Sequence, residues 1–292
     1  MFIPTSIDEH LMFSTVLIKT LMGSGTAFIL NLKNNGETIP ILITNKHVIG
    51  ENQSEEVSFE FHLRDGENNL SSNKIEISLS INWVFLTEFD ICFCFLGPIV
   101  ETIKKEAHRD IFQNGIKQSY IWSKDKLQKE LSMIEDVIMI GHPIGLSDRF
   151  NSLPIFRTGI TASHPGIDFN NKGIGIVDIA AFPGSSGSPI FILNKGQYTD
   201  KKNNTYFGAT RVVFLGVLFS GPVHTLEGNI EKKLIPMNFN SIVKTQIMTN
   251  LGYYIMSSDM VEEILKRVRE IIKSNQAEQN NWKTGKMKWR II

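Results

Sequence analysis

Three short segments carry residue types that could together make a hydroxyl reactive. In Phe182-Pro183-Gly184-Ser185-Ser186-Gly187-Ser188-Pro189, glycines bracket a serine pair and a proline opens the apolar run Ile190-Phe191-Ile192-Leu193. Such a turn presents a hydroxyl with little side-chain cover, and glycine there lets a carbonyl oxygen come within about 3 Å of backbone N–H donors. Taken alone, the same turn also describes a Ser/Gly hairpin without chemistry. The second segment places His47 where the strand-like Ile41-Leu42-Ile43-Thr44 gives way to Val48-Ile49, so the ring can be half buried with one nitrogen facing a cleft. The third sets Asp90 at the head of Ile91-Cys92-Phe93-Cys94-Phe95-Leu96, a run too apolar to tolerate an unpaired charge. Joined, they give Ser186 as nucleophile, His47 as general base and then acid, and Asp90 to fix the imidazole tautomer, in the chain order His, Asp, Ser.

Those side chains need a frame that brings distant segments together. The first hundred residues read as short β runs: Phe13-Lys19, Gly25-Leu32, Ile39-Thr44, Val57-Leu63, Lys74-Ile81 and Ile91-Leu96. Turn residues at Asn34-Asn35-Gly36 and Arg64-Asp65-Gly66 separate some of them. Residues 101 to 135 are rich in Lys, Glu, Gln and Asp and suit a surface linker with helical turns. The β runs then return at Asp136-Ile140, Ile155-Ala162, Ile174-Ala180, Pro189-Leu193, Val212-Phe219 and Leu234-Met237. Two β units joined by a polar connector place His47 and Asp90 on the first, Ser186 on the second, and the site in the cleft between them. Val261, Ile264, Leu265, Val268, Ile271 and Ile272 recur at helical spacing behind a capping signal, Asp259 and Glu262. A basic end follows, with Trp282, Lys283, Lys286, Lys288, Trp289 and Arg290, which suits a solvated terminus.

Several motifs in this order resemble the chymotrypsin/trypsin-like double-barrel serine proteases, most closely the bacterial high-temperature-requirement and glutamyl-endopeptidase-like branches. They are Gly23-Ser24-Gly25-Thr26-Ala27-Phe28, Thr44-Asn45-Lys46-His47-Val48, Asp90-Ile91, Gly141-His142-Pro143-Ile144-Gly145, Asp178 and Gly184-Ser185-Ser186-Gly187-Ser188-Pro189, and they span about Gly23 to Asn240. The resemblance implies an all-β fold of two antiparallel six-stranded barrels with a C-terminal α-helix. The expected layout is a first barrel over 1–105, a linker over 106–135, a second barrel over 136–250 and a helix with basic tail over 251–292. It further implies a serine endopeptidase acting through an acyl-enzyme, with an oxyanion hole formed by the N–H groups of Gly184 and Ser186. Ser185 stands where many secreted relatives carry an aspartate that pairs with a new amino terminus, so activation by N-terminal cleavage is not expected. Ser188 replaces a commoner glycine and leaves the nucleophile reading intact.

By the same resemblance, the primary pocket has its floor near Ala180 and its walls along Leu218, Phe219, Ser220 and Gly221, the strand a substrate would pair with by β-augmentation. None of these carries charge. The expected P1 residue is therefore small to medium and apolar, not Arg, Lys or Glu.

Composition narrows the alternatives. Thirty basic residues balance thirty acidic ones, which removes the basic footprint of a nucleic-acid binder. No apolar run approaches a membrane span and no secretory signal is visible, so a cytoplasmic setting is expected. Cys92 and Cys94 sit two apart on one strand face, where a disulfide would be strained. The seven histidines show no metal spacing, and no phosphate-binding glycine loop exists, so neither metal nor organic cofactor is expected. His62 and His108 read as surface residues, His142 as a turn residue, and His164 and His224 as loop residues. The partners expected are a protein or peptide substrate and, through the apolar stripe of the C-terminal helix, a regulatory protein or the chain's own barrel. The competing reading is a catalytically silent module of the same fold that binds protein. An α/β-hydrolase fails because that fold places Ser before Asp and His.

Overall fold

The computed structural model describes residues 3–21, 23–54, 56–66, 69–143, 148, 150–229 and 242–283. Helix α1 (Ile7–Met12) opens on a capping box in which the Ser6 hydroxyl accepts from Glu9 N and the Glu9 carboxylate accepts from Ser6 N. Strands β1 (Thr15–Thr20), β2 (Gly23–Asn34) and β3 (Glu37–Thr44) follow, then a single helical turn α2 (Lys46–Ile49). Next come β4 (Glu56–Asp65), β5 (Asn69–Ser80), β6 (Val84–Phe85), β7 (Cys92–Phe95), helix α3 (Leu96–Ala107), β8 (Ile116–Lys117) and helix α4 (Lys124–Glu130). The β2–β3 turn works as its residues require: Asn35 and Gly36 both have positive φ (51° and 86°) and Asn34 faces Glu37, the geometry of a two-residue primed turn.

These strands form one eight-stranded sheet in the order β5-β4-β1-β2-β3-β7-β6, with β8 added parallel to β2. The expected closed six-stranded first barrel is thus not what the described residues form, because no pairing joins β5 to β6. β6 is only two residues long and pairs with β7, and Trp83 just ahead of it is 2% exposed and stacks on Phe59 of β4 at 6.4 Å.

The second unit closes. Strands β9 (Asp136–Gly141), β10 (Ile155–Thr161), β11 (Ile174–Asp178) and β12 (Pro189–Asn194) precede a small hairpin of β13 (Gln197–Thr199) and β14 (Thr205–Phe207). Then come β15 (Arg211–Ser220), a two-stranded ribbon of β16 (Val223–Asn229) and β17 (Ile242–Met248), β18 (Leu251–Met256) and helix α5 (Ser257–Lys283). The barrel order is β10-β11-β18-β15-β12-β9, antiparallel at every junction. Its sixth strand is β18, inside the segment expected to hold only helix and tail. The expected Leu234-Met237 run and the basic residues 286–290 lie outside the described residues.

The main core lies where the two units meet. Phe28, Leu30, Ile41, Ile43 and Phe93 of the first sheet pack in one cluster with Ile140, Phe191, Phe214, Val217 and Ile255 of the barrel. Met260, Val261, Ile264 and Val268 of α5 join the same cluster, so the helix stripe docks on its own chain. The cap differs from expectation: Asp259 lies inside the first turn, and its carboxylate meets Lys124 Nζ at 2.8 Å, as Asp168 does at 2.6 Å. No helix among the described residues is long and apolar enough to cross a membrane.

Candidate active site

Antiparallel register sets the first half of the site. Thr44 at the end of β3 faces Cys92 at the start of β7, so the residues just after β3 lie beside those just before β7. His47 and Asp90 occupy those positions. Asp90 Oδ2 lies 2.5 Å from His47 Nδ1, and Asp90 Oδ1 accepts the His47 backbone N–H at 3.2 Å. Asn45, fully buried, donates from its amide nitrogen to the Asp90 carbonyl at 2.8 Å, and Lys46 Nζ donates to Leu86 O at 3.0 Å. The contact turns the Nδ1 edge of the ring to the carboxylate and leaves Nε2 without a hydrogen-bond partner among the described residues. The His47 side chain is 47% exposed and that of Asp90 28%, so the ring is open to solvent.

The second half is the turn before β12. Ser185 N donates to Phe182 O at 2.9 Å, with Pro183 and Gly184 (φ 85°) at the two central positions, the residue pattern of a type II turn. Ser185 is 1% exposed and its hydroxyl accepts the Phe182 N–H at 3.3 Å. Ser186 is the member of the pair that reaches a cavity. The amides of Ser185, Gly187 and Ser188 donate to Phe182 O, Leu218 O and Ser185 O, whereas those of Gly184 and Ser186 have no protein acceptor among the described residues. Gly187 is required where it stands: its φ is 85°, and a Cβ would lie 1.9 Å from Thr26 O.

The two halves meet across Gly25. A Cβ there would lie 2.6 Å from Val48 Cγ1, next to His47, and 3.5 Å from Ser186 O. Thr26 N donates to Ser186 O at 3.0 Å. No hydrogen bond joins Ser186 Oγ to the His47 ring; the segments that carry them flank the same Gly25 without that contact.

A cavity of about 110 Å³ opens beside Ser186. Leu218, Ser220 and Gly221 line it, as expected, together with Ala181, Phe182, Pro183, Pro222 and Leu251, and no lining residue is charged. The expected floor residue and one expected wall residue do not line it. Ala180 does not line it, the neighbouring Ala181 does, and Phe219 turns to the opposite face of β15, toward Tyr253 at 6.4 Å. Phe219 falls where the β15–β18 register shifts, between Leu218 and Ser220, both of which line the cavity. Arg157 lies 4.5 Å over the Phe182 ring at the rim.

Two histidines sit deeper than expected. His142 is 3% exposed, donates its backbone N–H to Thr26 Oγ1 at 2.8 Å, and burial pushes its pKa down to about 4. His62 packs edge-on against Phe13 at 5.4 Å, and burial lowers its pKa as well. His108 is exposed, and the side chain of His224 lies outside the description. Cys92 and Cys94 are buried free thiols whose pKa values burial raises. No group of three or more His, Cys, Asp or Glu among the described residues could hold a metal ion.

No protein-family model matches the chain, and no curated protein does. Among solved structures the chain is similar to an inactive form of the Rv3671c protease of M. tuberculosis, at 12% identity and TM-score 0.41, covering 88% of this chain and 87% of that one. It is also similar to a human pathogenic astrovirus serine protease (14% identity, TM-score 0.39, 84% of this chain and 89% of that one). A third is a Glu endopeptidase (12% identity, TM-score 0.40, 88% of this chain and 90% of that one). Overlaps at this level assign no residue a role, and the functional reading stands on the chain's own geometry.

Proposed function

We propose that the protein is a serine endopeptidase. In this reading His47 Nε2 takes the Ser186 proton as Oγ attacks the scissile carbonyl, Asp90 steadies the imidazolium, and the amides of Gly184 and Ser186 bind the oxyanion. His47 then returns the proton to the leaving amine, and water repeats the sequence on the acyl-enzyme. The supporting observation is that Ser186 lines an uncharged cavity from a turn whose only acceptor-less amides, among the described residues, are those of Gly184 and Ser186. The cavity's size and lining favour a small or medium apolar P1 side chain, with the substrate strand laid along Leu218, Ser220 and Gly221.

A catalytically silent protein-binding module is the second reading, favoured by the missing Ser186–His47 hydrogen bond. One experiment separates the two. A fluorophosphonate probe should label the uncleaved chain, and labelling should vanish in Ser186→Ala with folding kept. A wild-type chain that takes no label and cuts no peptide in a library digest removes the peptidase reading.

A further inference from the structure

Thr26 is fully buried on β2, in the first sheet, yet most of its polar atoms are engaged by the second unit. The chemistry of its neighbours fixes the direction of every bond its hydroxyl makes. Gly184 O, at 3.3 Å, can only accept, so the single Thr26 hydroxyl proton goes there. His142 N–H, at 2.8 Å, can only donate, and it takes one lone pair. Ser188 Oγ, at 3.3 Å, donates to the other. The hydroxyl is thereby saturated. The Thr26 backbone completes the arrangement, with N donating to Ser186 O at 3.0 Å and O accepting the Thr44 hydroxyl at 2.8 Å. Thr44 in turn lies three residues before His47. Gly141 leaves room for the cluster, since a Cβ there would lie 1.9 Å from Ser188 Oγ and 2.9 Å from Thr26 Oγ1.

We infer that Thr26 is a positioning residue for the oxyanion hole: its hydroxyl holds the Gly184–Ser185 peptide and its N–H the Ser186–Gly187 peptide, which together flank the peptide bearing the Ser186 N–H, and the first also adjoins the peptide bearing the Gly184 N–H. The inference rests on the peptidase reading above and adds a residue to it. Peptide orientation is the variable that matters in this turn, because Gly184 has the conformational freedom to rotate its flanking peptides. The Thr26 hydroxyl is the group that holds the Gly184 carbonyl, and buried hydrogen bonds left half made are costly. A β2 residue therefore ties the amide donors of the second unit to the strand that precedes the histidine.

The test compares Thr26→Val, which keeps the shape and removes the hydroxyl, with Thr26→Ser, which keeps the hydroxyl. The readout is the second-order rate of phosphonylation by a fluorophosphonate, alongside the melting temperature. The valine variant should label roughly 10- to 100-fold more slowly, below the full loss of an oxyanion donor. The serine variant should stay within about threefold of wild type, since its hydroxyl can make the same three bonds. The pH dependence of the labelling rate should not move in either, because the His47–Asp90 pair is untouched. Should the valine variant not fold, Thr26→Ala removes the hydroxyl without adding bulk and is read the same way. Wild-type labelling rates in a folded hydroxyl-less variant overturn the inference, as does a shifted pH profile. An unlabelled wild type instead overturns the peptidase reading itself.

Discussion

The Glu263 carboxylate on α5 accepts the backbone N–H of Thr87 at 2.6 Å, and Arg267, one turn further on, donates to the Thr87 hydroxyl at 2.8 Å. Thr87 stands three residues before Asp90. The helix thus grips the turn from which the carboxylate reaches His47. Glu263→Ala with Arg267→Ala should cost about 1–2 kcal/mol in stability, the sum of two partly exposed hydrogen bonds, and should slow fluorophosphonate labelling several-fold. Denaturant melts and labelling rates on the same preparations check it. An unchanged rate would show that Lys46 and the Leu86–Ile91 bond suffice to hold the turn.

Asp90→Asn keeps the volume of the side chain and removes the charge. Its amide would offer a donor where His47 Nδ1–H needs an acceptor, turning the imidazole to the tautomer with no base at Nε2. Turnover should fall by on the order of 10⁴-fold in a triad of this kind, with the melting temperature little changed. Steady-state kinetics and thermal melts check it, and a fall of less than tenfold would remove Asp90 from the proposed mechanism.

Burial holds the His142 pKa down to about 4, with Glu60 opposing and His62 adding to the shift, and it lowers that of His62 in the same direction. The unfolded chain binds protons below about pH 6.5 that the folded one refuses, so stability is complete above that pH and is lost as the pH falls toward 4. His142 alone should contribute on the order of 3 kcal/mol to that loss. Urea melts between pH 7.5 and 4.5 should show it. His142→Gln, which keeps the backbone bond to Thr26, should flatten the slope.

Gly187→Ala should be among the most damaging single-methyl additions in the chain. The new Cβ would meet the backbone oxygen of Thr26 at 1.9 Å, from a positive φ that alanine resists. A loss of more than about 2 kcal/mol is expected, because neither partner can swing aside. A calorimetric melt of the variant measures it directly.

Removing 257–292 should leave no folded protein. Met260, Val261, Ile264 and Val268 are each 5% exposed or less, and burying four such side chains is worth on the order of 8 kcal/mol, comparable to the whole stability of many proteins. Circular dichroism of the truncated chain should show a collapsed near-ultraviolet signal.

Much of this was legible in the residues, and the part that was not has identifiable causes. His47 and Asp90 could be paired beforehand because each sits at the end of an apolar strand, and antiparallel register did the rest. The sequence places the cavity floor near Ala180, one residue from the Ala181 that lines it, and includes Phe219 in the wall, because the register shift of β15 between Leu218 and Ser220 leaves no local signal. The unclosed first sheet turns on how short β6 is: Val84-Phe85 pairs with β7 for two residues, and nothing in the local sequence says that the strand stops there. Helix α5 was visible through its stripe, whereas β18 just ahead of it, Leu251-Gly252-Tyr253-Tyr254-Ile255-Met256, lacks the strict alternation that marks a half-buried strand, because it lies within the barrel core. Thr26 gave a weaker signal still: a hydroxyl in the run Thr26-Ala27-Phe28-Ile29-Leu30 must have partners, but they come from three distant segments.

Strand β18 lies between β11 and β15, both of which leave the ribosome before it does. A nascent chain that has emerged only as far as β15 therefore presents two bare strand edges, with the barrel wall unsealed and the seat of α5 vacant. Translation order thus leaves the cavity beside Ser186 without its Leu251 wall until the last strand is in place, and a chain terminated before it would be an aggregation-prone fragment.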